Sequence, residues 1–264
     1  VESLYPLTEP AADYPTLLYD GPFSDGAQGG RYLALENLQT VSAEQAQQSL
    51  VAFLGGVTEI ELTGEASAPV DLYEFSLSAN GYSLSAGVTK QGGKVLYVLS
   101  NADVSEVNYA PEQLLDTAKA FLLARDFGAM EMSYYSRFDG ILTINYAAVQ
   151  NDVVLYPDLV KVQLSMRDGT VIGIEAGNYL MNHTERTLEL PAISEEDAVA
   201  RLGTQLTPLA VRLCVIPVNA GEALCYEIRA TDGADTFLVY IDAATGTERE
   251  LMQVVSDESG SLVM

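Results

Sequence analysis

The sequence predicts an α+β fold in which one helix packed on a short antiparallel sheet occurs three times, behind an extended N-terminal arm. Two observations lead to this prediction. Three segments begin with the same kind of helix start, and apolar and polar residues then alternate with the period of a strand. The three starts read Val-Ser42-Ala-Glu-Gln-Ala46, Tyr-Ala110-Pro-Glu-Gln-Leu114 and Ile-Ser194-Glu-Glu-Asp-Ala198.

Each start contains residues that favour the N-terminus of a helix. Ser42 with Gln45 fits a capping box, in which the two side chains satisfy free backbone N–H groups. Ser194 can cap in the same way, and the acidic residues after it suit the positive end of the helix dipole. Pro111 suits the first helical position, where its missing N–H costs nothing.

Apolar residues at steps of three and four follow every start, which predicts three helices with one buried face each. The predicted faces are Ala43, Ala46, Leu50, Phe53 and Leu54 in the first helix, Leu114, Ala118, Phe121 and Leu122 in the second, and Ala198, Leu202 and Leu206 in the third.

Predicted strands follow each helix and are separated by turn residues. The clearest turn is Asn80-Gly81, which lies between two alternating stretches and indicates a two-residue hairpin. Asp168-Gly169 and the closing Asp242-Ala-Ala-Thr-Gly246 are the corresponding turns further along. The predicted strands lie at 73–78, 82–84, 95–98, 141–146, 160–166, 171–174, 213–218, 224–228 and 237–241.

The spacing of the helix starts defines the predicted units. They are an arm at 1–40 and helix-plus-sheet units at 41–107, 108–190 and 191–264. Glu44, Glu112 and Glu196 are separated by 68 and 84 residues. We therefore expect the middle unit to contain an additional segment at about 178–191.

The composition limits the classes of partner. The chain has 264 residues, 37 of them acidic and 13 basic, with a net charge of −24. Such a surface repels nucleic acid and anionic lipid, because binding phosphates requires Lys and Arg. We therefore expect no nucleic acid partner; the partners that suit this surface are cationic proteins, or neutral ones that bind through an apolar patch.

Two cysteines lie on opposite sides of a predicted hairpin. If Asn219 and Ala220 form its turn, Cys214 and Cys225 are directly opposed. They could form a cross-strand disulfide or remain two buried thiols. We favour the thiols, because directly opposed strand positions often strain the torsion of a disulfide.

No combination of residues indicates catalysis or metal binding. His183, the one histidine, could be a metal ligand or general base, but it has no evident partner and is better explained as a loop residue held by hydrogen bonds. Acid pairs could cleave glycans, but the chain lacks tryptophan, and most of its acids lie at solvated positions. We therefore expect a protein that is not an enzyme and has no cofactor or metal.

Tyrosines are concentrated in the middle unit and give the best candidate for an interface. A tyrosine offers a large contact area with one polar end, although it is equally at home in a strand. The candidate interface residues are Tyr134, Tyr135, Tyr156, Tyr179 and His183.

Several motifs resemble known families. The helix starts, the strand pairs and the closing Val-Tyr-Ile-Asp-Ala-Ala-Thr-Gly246 resemble the PepSY domain. Four blocks, which extend over nearly the whole chain, are similar to the C-terminal region of the YpeB family of spore germination proteins. The blocks are Tyr14-Pro-Thr-Leu-Leu-Tyr-Asp-Gly-Pro-Phe-Ser24, Tyr156-Pro-Asp-Leu-Val-Lys-Val162, Gly177-Asn-Tyr-Leu-Met-Asn-His183, and Val211-Arg-Leu-Cys-Val-Ile-Pro217 with Leu224-Cys-Tyr-Glu227.

The resemblance implies a binding and regulatory role in spore germination. YpeB-like proteins are made together with the cortex-lytic enzyme SleB, a peptidoglycan lytic transglycosylase, and each needs the other to persist in the dormant spore. The resemblance also implies an extracytoplasmic location on the cortex side of the spore inner membrane.

The chain begins at Val1, and we expect it to be part of a longer protein whose upstream segment provides a membrane anchor. The expected function is to bind, stabilise and restrain SleB. The alternative is a scaffold that spaces the anchor from the cortex while the upstream region binds the partner. Association with a second copy of the chain stays open.

Overall fold

The computed structural model describes Phe23 and residues 31–219, 221–257 and 260–263. Within these residues, four α-helices and one short 3-10 helix (Leu33–Leu35) accompany a thirteen-stranded sheet. The strand pairings are antiparallel except for one. The predicted α+β class is therefore confirmed.

The helices are α1 (Ala43–Leu54), α2 (Pro111–Leu123), α3 (Gly177–Asn182) and α4 (Glu195–Val199). The strands are β1 (Val57–Ala66), β2 (Leu72–Ala79), β3 (Tyr82–Thr89), β4 (Val95–Ser100), β5 (Met130–Phe138), β6 (Ile141–Gln150), β7 (Val153–Ser165), β8 (Val171–Glu175), β9 (Thr207–Val218), β10 (Gly221–Thr231), β11 (Thr236–Asp242), β12 (Glu248–Asp257) and β13 (Gly260–Val263).

The predicted helix starts are confirmed. Ser42 accepts a hydrogen bond from the Gln45 N–H, and the Gln45 side chain accepts one from the Ser42 N–H. Ser194 makes the same reciprocal pair with Asp197, and Pro111 is the first residue of α2. Every fourth residue on one face of the two long helices is buried: Ala46, Leu50 and Leu54 in α1, and Leu114, Ala118 and Leu122 in α2.

The third helix is shorter than its apolar spacing predicts, and the expectation that it continues to Leu206 is wrong. It ends at Val199, where the N–H groups of Arg201 and Leu202 turn back to carbonyls three residues earlier. Gly203 and Pro208 then disfavour a continuing helix. Leu202 and Leu206 still pack against the core beneath α4, so the apolar pattern predicted their burial but not their conformation.

Local turn chemistry fixes the hairpins. Asn80 and Gly81 both have positive φ, as a two-residue hairpin turn requires. By contrast, β1, β5, β12 and β13 were not predicted. Most residues of β1 are exposed or half-buried, so its sequence lacks the clean alternation of a strand with one buried face.

The sheet order is β1-β2-β3-β4-β8-β7-β6-β5-β13-β12-β11-β10-β9. The last strand in this order, β9, also pairs with β7, which lies in the middle of the sheet. This pairing is parallel and places Cys214 opposite Val154 and Val215 opposite Leu155. One backbone pair joins β13 to β5. The described strands β5–β7 and β9–β13 therefore close into a ring of eight.

Three buried clusters follow from this topology. The largest packs α1, α2 and α3 against β2–β8. A second lies under α4 on the outer face of β9–β11. The third fills the inside of the ring and contains Tyr156, Tyr240, Cys214 and Cys225. Because β7 has the first cluster on one side and the ring on the other, its first eight residues are all buried.

Most of the predicted N-terminal arm, residues 1–22 and 24–30, lies outside the described residues. Thr40 bridges to Gln91, and Phe23 packs its ring against Tyr156 and Tyr240 inside the strand ring. Each of α1, α2 and α4 precedes at least four strands. Because those strands form one continuous sheet, the boundaries between the units stay a prediction.

One buried ion network ties the additional segment after β8 to both sides of the ring. Asp158 on β7 is fully buried and receives hydrogen bonds from Arg186 at 2.7 and 2.9 Å. The same guanidinium makes two 2.7 Å hydrogen bonds to Glu222 on β10. Burial opposes the charged form of Arg186, but the two carboxylates raise its pKa above the ordinary value.

The cysteines are opposed in register, as predicted: Cys214 pairs with Cys225 and Val218 with Gly221. In the structure both are free, buried thiols. Burial, together with the nearby carboxylates, raises the pKa of Cys214 well above its ordinary value and that of Cys225 to about 12.

We expect Arg186→Gln to lower the free energy of unfolding by roughly 3 kcal/mol, because it leaves the Asp158 carboxylate buried without its cation. Denaturant unfolding measures this loss. The double variant Asp158→Asn/Arg186→Gln should lose less than the single variant, since no unpaired charge remains.

The matched control is Lys119→Gln, which removes an exposed cation 3.9 Å from Glu131. It should change stability by less than about 0.5 kcal/mol. If Arg186→Gln were as mild as this control, the network would not hold the segment in place.

The thiols should be unreactive until the chain unfolds. At pH 8 Ellman's reagent should label neither cysteine rapidly in the native protein, because buried thiols with raised pKa are rarely thiolates. In denaturant without reductant, two thiols should titrate. A count of zero would instead mean that Cys214 and Cys225 form a disulfide.

Candidate functional site

The five candidate interface residues gather in two places. Tyr134, Tyr135 and Tyr156 line a cavity inside the strand ring. Tyr179 and His183 lie in and just after α3, in the additional segment. The five candidates therefore lie in two neighbouring places, a separation that the sequence did not indicate, and their role in an interface stays a prediction.

A three-residue bulge in β7 positions Tyr156 and Asp158. Leu155 pairs with Ala148 and Leu159 with Ala147, so the residues between them have no partner on β6. Pro157 lies within this bulge, where its missing N–H leaves no ladder hydrogen bond broken. Its carbonyl instead accepts a hydrogen bond from the Asn182 side chain at 2.8 Å, which attaches α3 to the bulge.

The cavity has a volume of about 370 Å³ and lies between β5 and β9–β12. Its walls are largely apolar and aromatic, and its charged groups come from two neighbouring strands. The lining includes Met132, Ser133, Tyr134, Tyr135, Tyr156, Ala210, Val211, Arg212, Glu227, Arg229, Leu238 and Val254.

A closed hydrogen-bond triangle forms the polar side of the cavity. Arg212 donates from Nε to Glu227 at 2.7 Å and from a terminal nitrogen to the Tyr156 hydroxyl at 2.8 Å. The Tyr156 hydroxyl donates in turn to the Glu227 carboxylate. All three groups therefore have partners, and the charges of Arg212 and Glu227 offset each other.

The environment keeps the phenols of this site protonated. Burial raises the pKa of Tyr156 well above its ordinary value, and the Glu227 charge raises it further. Burial also raises the pKa of Tyr240. The Tyr240 hydroxyl is buried near Glu227.

His183 is held in place by its neighbours. Its ring stacks on Tyr179 with centroids 4.2 Å apart, and its Nδ1 lies 2.7 Å from the Asp158 carboxylate. This is the contact expected of a loop residue tied down by hydrogen bonds. The His183 side chain remains 36% exposed. Burial and the Asp158 charge raise the pKa of the neighbouring Tyr179 to about 12.

Two of the acids that line the concave surfaces are paired with arginines. Glu227 faces the cavity paired with Arg212, and Asp242, in a groove beside β10, accepts two backbone hydrogen bonds and two from Arg249. No described cluster of three or more His, Cys, Asp or Glu side chains could hold a metal ion.

In the part of the chain that is described, none of the helices has the length and apolar character to cross a bilayer.

Sequence reasoning missed the charged residues of both sites. Asp158 interrupts a run of apolar residues in β7, and a carboxylate in such a run needs a buried cation; this signal could have indicated Arg186. Arg212 and Glu227 lie opposite each other on β9 and β10. The register predicted for the two cysteines already implies this pairing, but it does not show that both side chains lie inside the ring.

The family model for YpeB sporulation proteins, covering the PepSY1 and PepSY2 domains, matches residues 2–189. The model for the peptidase propeptide and YPEB domain matches residues 192–251. The "Bacillus megaterium YpeB C-terminal domain" has a similar structure, with a TM-score of 0.73 and 27% identity, and the match covers 81% of this chain and 98% of that chain.

Among curated relatives, the sporulation protein YpeB of Bacillus subtilis is 30% identical over 193 residues, which cover 71% of this chain and 43% of that protein. The YpeB protein of Oceanobacillus iheyensis is 27% identical over 231 residues, covering 85% and 51%. The chain therefore spans about half or less of these relatives. With family models matching on both sides of residue 190, the chain belongs to the YpeB family of sporulation proteins.

Proposed function

We propose that this chain is a non-catalytic binding module that stabilises and restrains a cortex-lytic hydrolase of the SleB type. Membership of the YpeB family carries the proposal. The pairing of Glu227 with Arg212 and of Asp242 with Arg249 agrees with a binding role. A protein that binds only the folded hydrolase stabilises it by mass action.

The proposal includes a location and an arrangement. The module acts outside the cytoplasm, on the cortex side of the spore inner membrane, where an upstream segment of the longer protein anchors it. Its three units follow the three helices, as the repeated order of one helix and then strands supports. The change of family model between residues 189 and 192 supports the last boundary.

The exposed candidates are the proposed contacts. Tyr134, Tyr156 and Tyr179 are buried, so they support the surface from beneath. Tyr135 and His183 keep partial exposure and can contact a partner directly. The net charge of −24 favours a partner whose contact surface is basic.

A scaffold that spaces the membrane anchor from the cortex is the second candidate. One continuous sheet of thirteen described strands favours it, because such a sheet resists bending. Spores that keep the upstream part but lack this region discriminate the two functions. Loss of the hydrolase from dormant spores supports restraint and stabilisation, whereas normal hydrolase levels support the scaffold.

We expect the purified chain to form a complex with a SleB-type hydrolase and to slow its release of fragments from cortex peptidoglycan. Sedimentation measures the complex, and product release measures the activity. The chain should also lengthen the lifetime of the hydrolase under trypsin. The absence of a complex, with activity and lifetime unchanged, would contradict the proposal for this region.

Within that complex, Tyr135→Ala should weaken binding by about tenfold, since a partly buried tyrosine is a frequent hot spot. The matched control is Tyr109→Ala, which removes an exposed tyrosine before α2 and should leave binding unchanged. If the two substitutions had equal effects on binding, Tyr135 would not be part of the interface.

A further inference from the structure

The cavity inside the strand ring has the properties of a ligand site. Its volume of about 370 Å³ lies in the range of small-molecule pockets. Its walls are mostly apolar and include a few polar groups held in place by hydrogen bonds, a combination that is typical of specific ligand sites. Cavities that remain empty are usually lined by apolar groups alone, whereas this one has the Arg212–Glu227–Tyr156 triangle in its wall.

Among the described residues that line the cavity, one cation, Arg229, has no acidic partner. Arg212 and Glu227 are paired with each other at 2.7 Å. Arg229 follows Glu227 by two residues on β10, so both side chains point to the same face of the strand. Arg229 is exposed, and it makes no ion pair or side-chain hydrogen bond among the described residues. The lining therefore carries a net charge of about +1 at its rim in a chain of strongly negative charge.

We propose that this cavity binds an apolar group that carries one carboxylate, with the carboxylate on Arg229 and the apolar part against Leu238 and Val254. A guanidinium binds carboxylates through paired hydrogen bonds. A single negative charge fits better than a dianion, because a second charge would face the Glu227 carboxylate. Contact with the apolar walls adds stabilisation in proportion to the buried area.

Two sources offer this chemistry, namely a free amphiphilic acid and the C-terminal carboxylate of a polypeptide that ends in an apolar residue. The same recognition would serve either one. This inference is independent of hydrolase restraint, since the chain can bind such a group whether or not it binds the enzyme.

The experiment uses two probes that share one ring system. Anilinonaphthalene sulfonate has an apolar body and one negative charge, and N-phenylnaphthylamine has the same body without the charge. The native chain should bind one molecule of the anionic probe and bind the neutral probe at least tenfold more weakly. Fluorescence titration at fixed ionic strength measures both.

Arg229→Gln should lower the affinity for the anionic probe about tenfold and leave the affinity for the neutral probe unchanged. The control is Arg201→Gln, which removes an exposed arginine that follows α4 on the outer face of the sheet. It should alter neither titration. Circular dichroism and the unfolding midpoint of each variant should match those of the parent, which shows that the probe reports the cavity of a folded chain.

A cavity-filling variant tests the location. Ala210 is exposed on β9 at the edge of the lining, so Ala210→Trp places a large side chain in the mouth without crowding the core. It should abolish the binding of the anionic probe. Binding that survives Ala210→Trp, or that is equal in the parent and Arg229→Gln, would overturn the proposal.

Competition identifies the source of the carboxylate. Decanoate is compared with decanol, and the peptide acetyl-Ala-Ala-Leu-Leu with a free C-terminus is compared with its amide. Displacement by decanoate alone supports a free acid, and displacement by the free-ended peptide alone supports a chain end. If decanol and the amide displace the probe as well as the acids do, or if no competitor displaces it, the assignment of a carboxylate is wrong.

Discussion

The guanidinium of Arg186 ties β7 to β10, beside the backbone pairing of β7 with β9. It lies between Asp158 on β7 and Glu222 on β10, with two hydrogen bonds to each. The fully buried Asp158 would be costly without it. The Asp158 carboxylate also contacts His183. The Arg186–Asp158 pair therefore connects the additional segment, the β7 bulge and Glu222 on β10. The shape of the neighbouring cavity follows from that arrangement.

The local features were predictable because short-range chemistry determines them. Ser42, Ser194 and Asn80-Gly81 act on their nearest neighbours, so their sequence context was enough to locate the helix starts and the hairpin. The third helix ended early because the apolar residues beyond it are buried in a turn. The ring was not predictable in the same way, since the pairing of Val154 with Cys214 joins strands that no local pattern relates.

The candidate site shows the same division. Three of the tyrosines predicted as interface residues, Tyr134, Tyr135 and Tyr156, line the cavity, but the charged residues beside them were missed. Arg212 and Glu227 look like ordinary solvated residues of amphipathic strands until the ring places them inside. The cavity itself was not predicted, because its walls and its polarity depend on the tertiary arrangement.

The closure of the ring also sets an order of folding. The backbone pair between Ser136 and Gly260 joins residues far apart in the chain, and such contacts form slowly because a long loop must close. β13 follows every other described strand, so during synthesis the first two sets of strands fold while β5 still has one open edge. A nascent chain at that stage leaves the backbone groups along this edge of β5 without a strand partner, and such edges can pair with other chains.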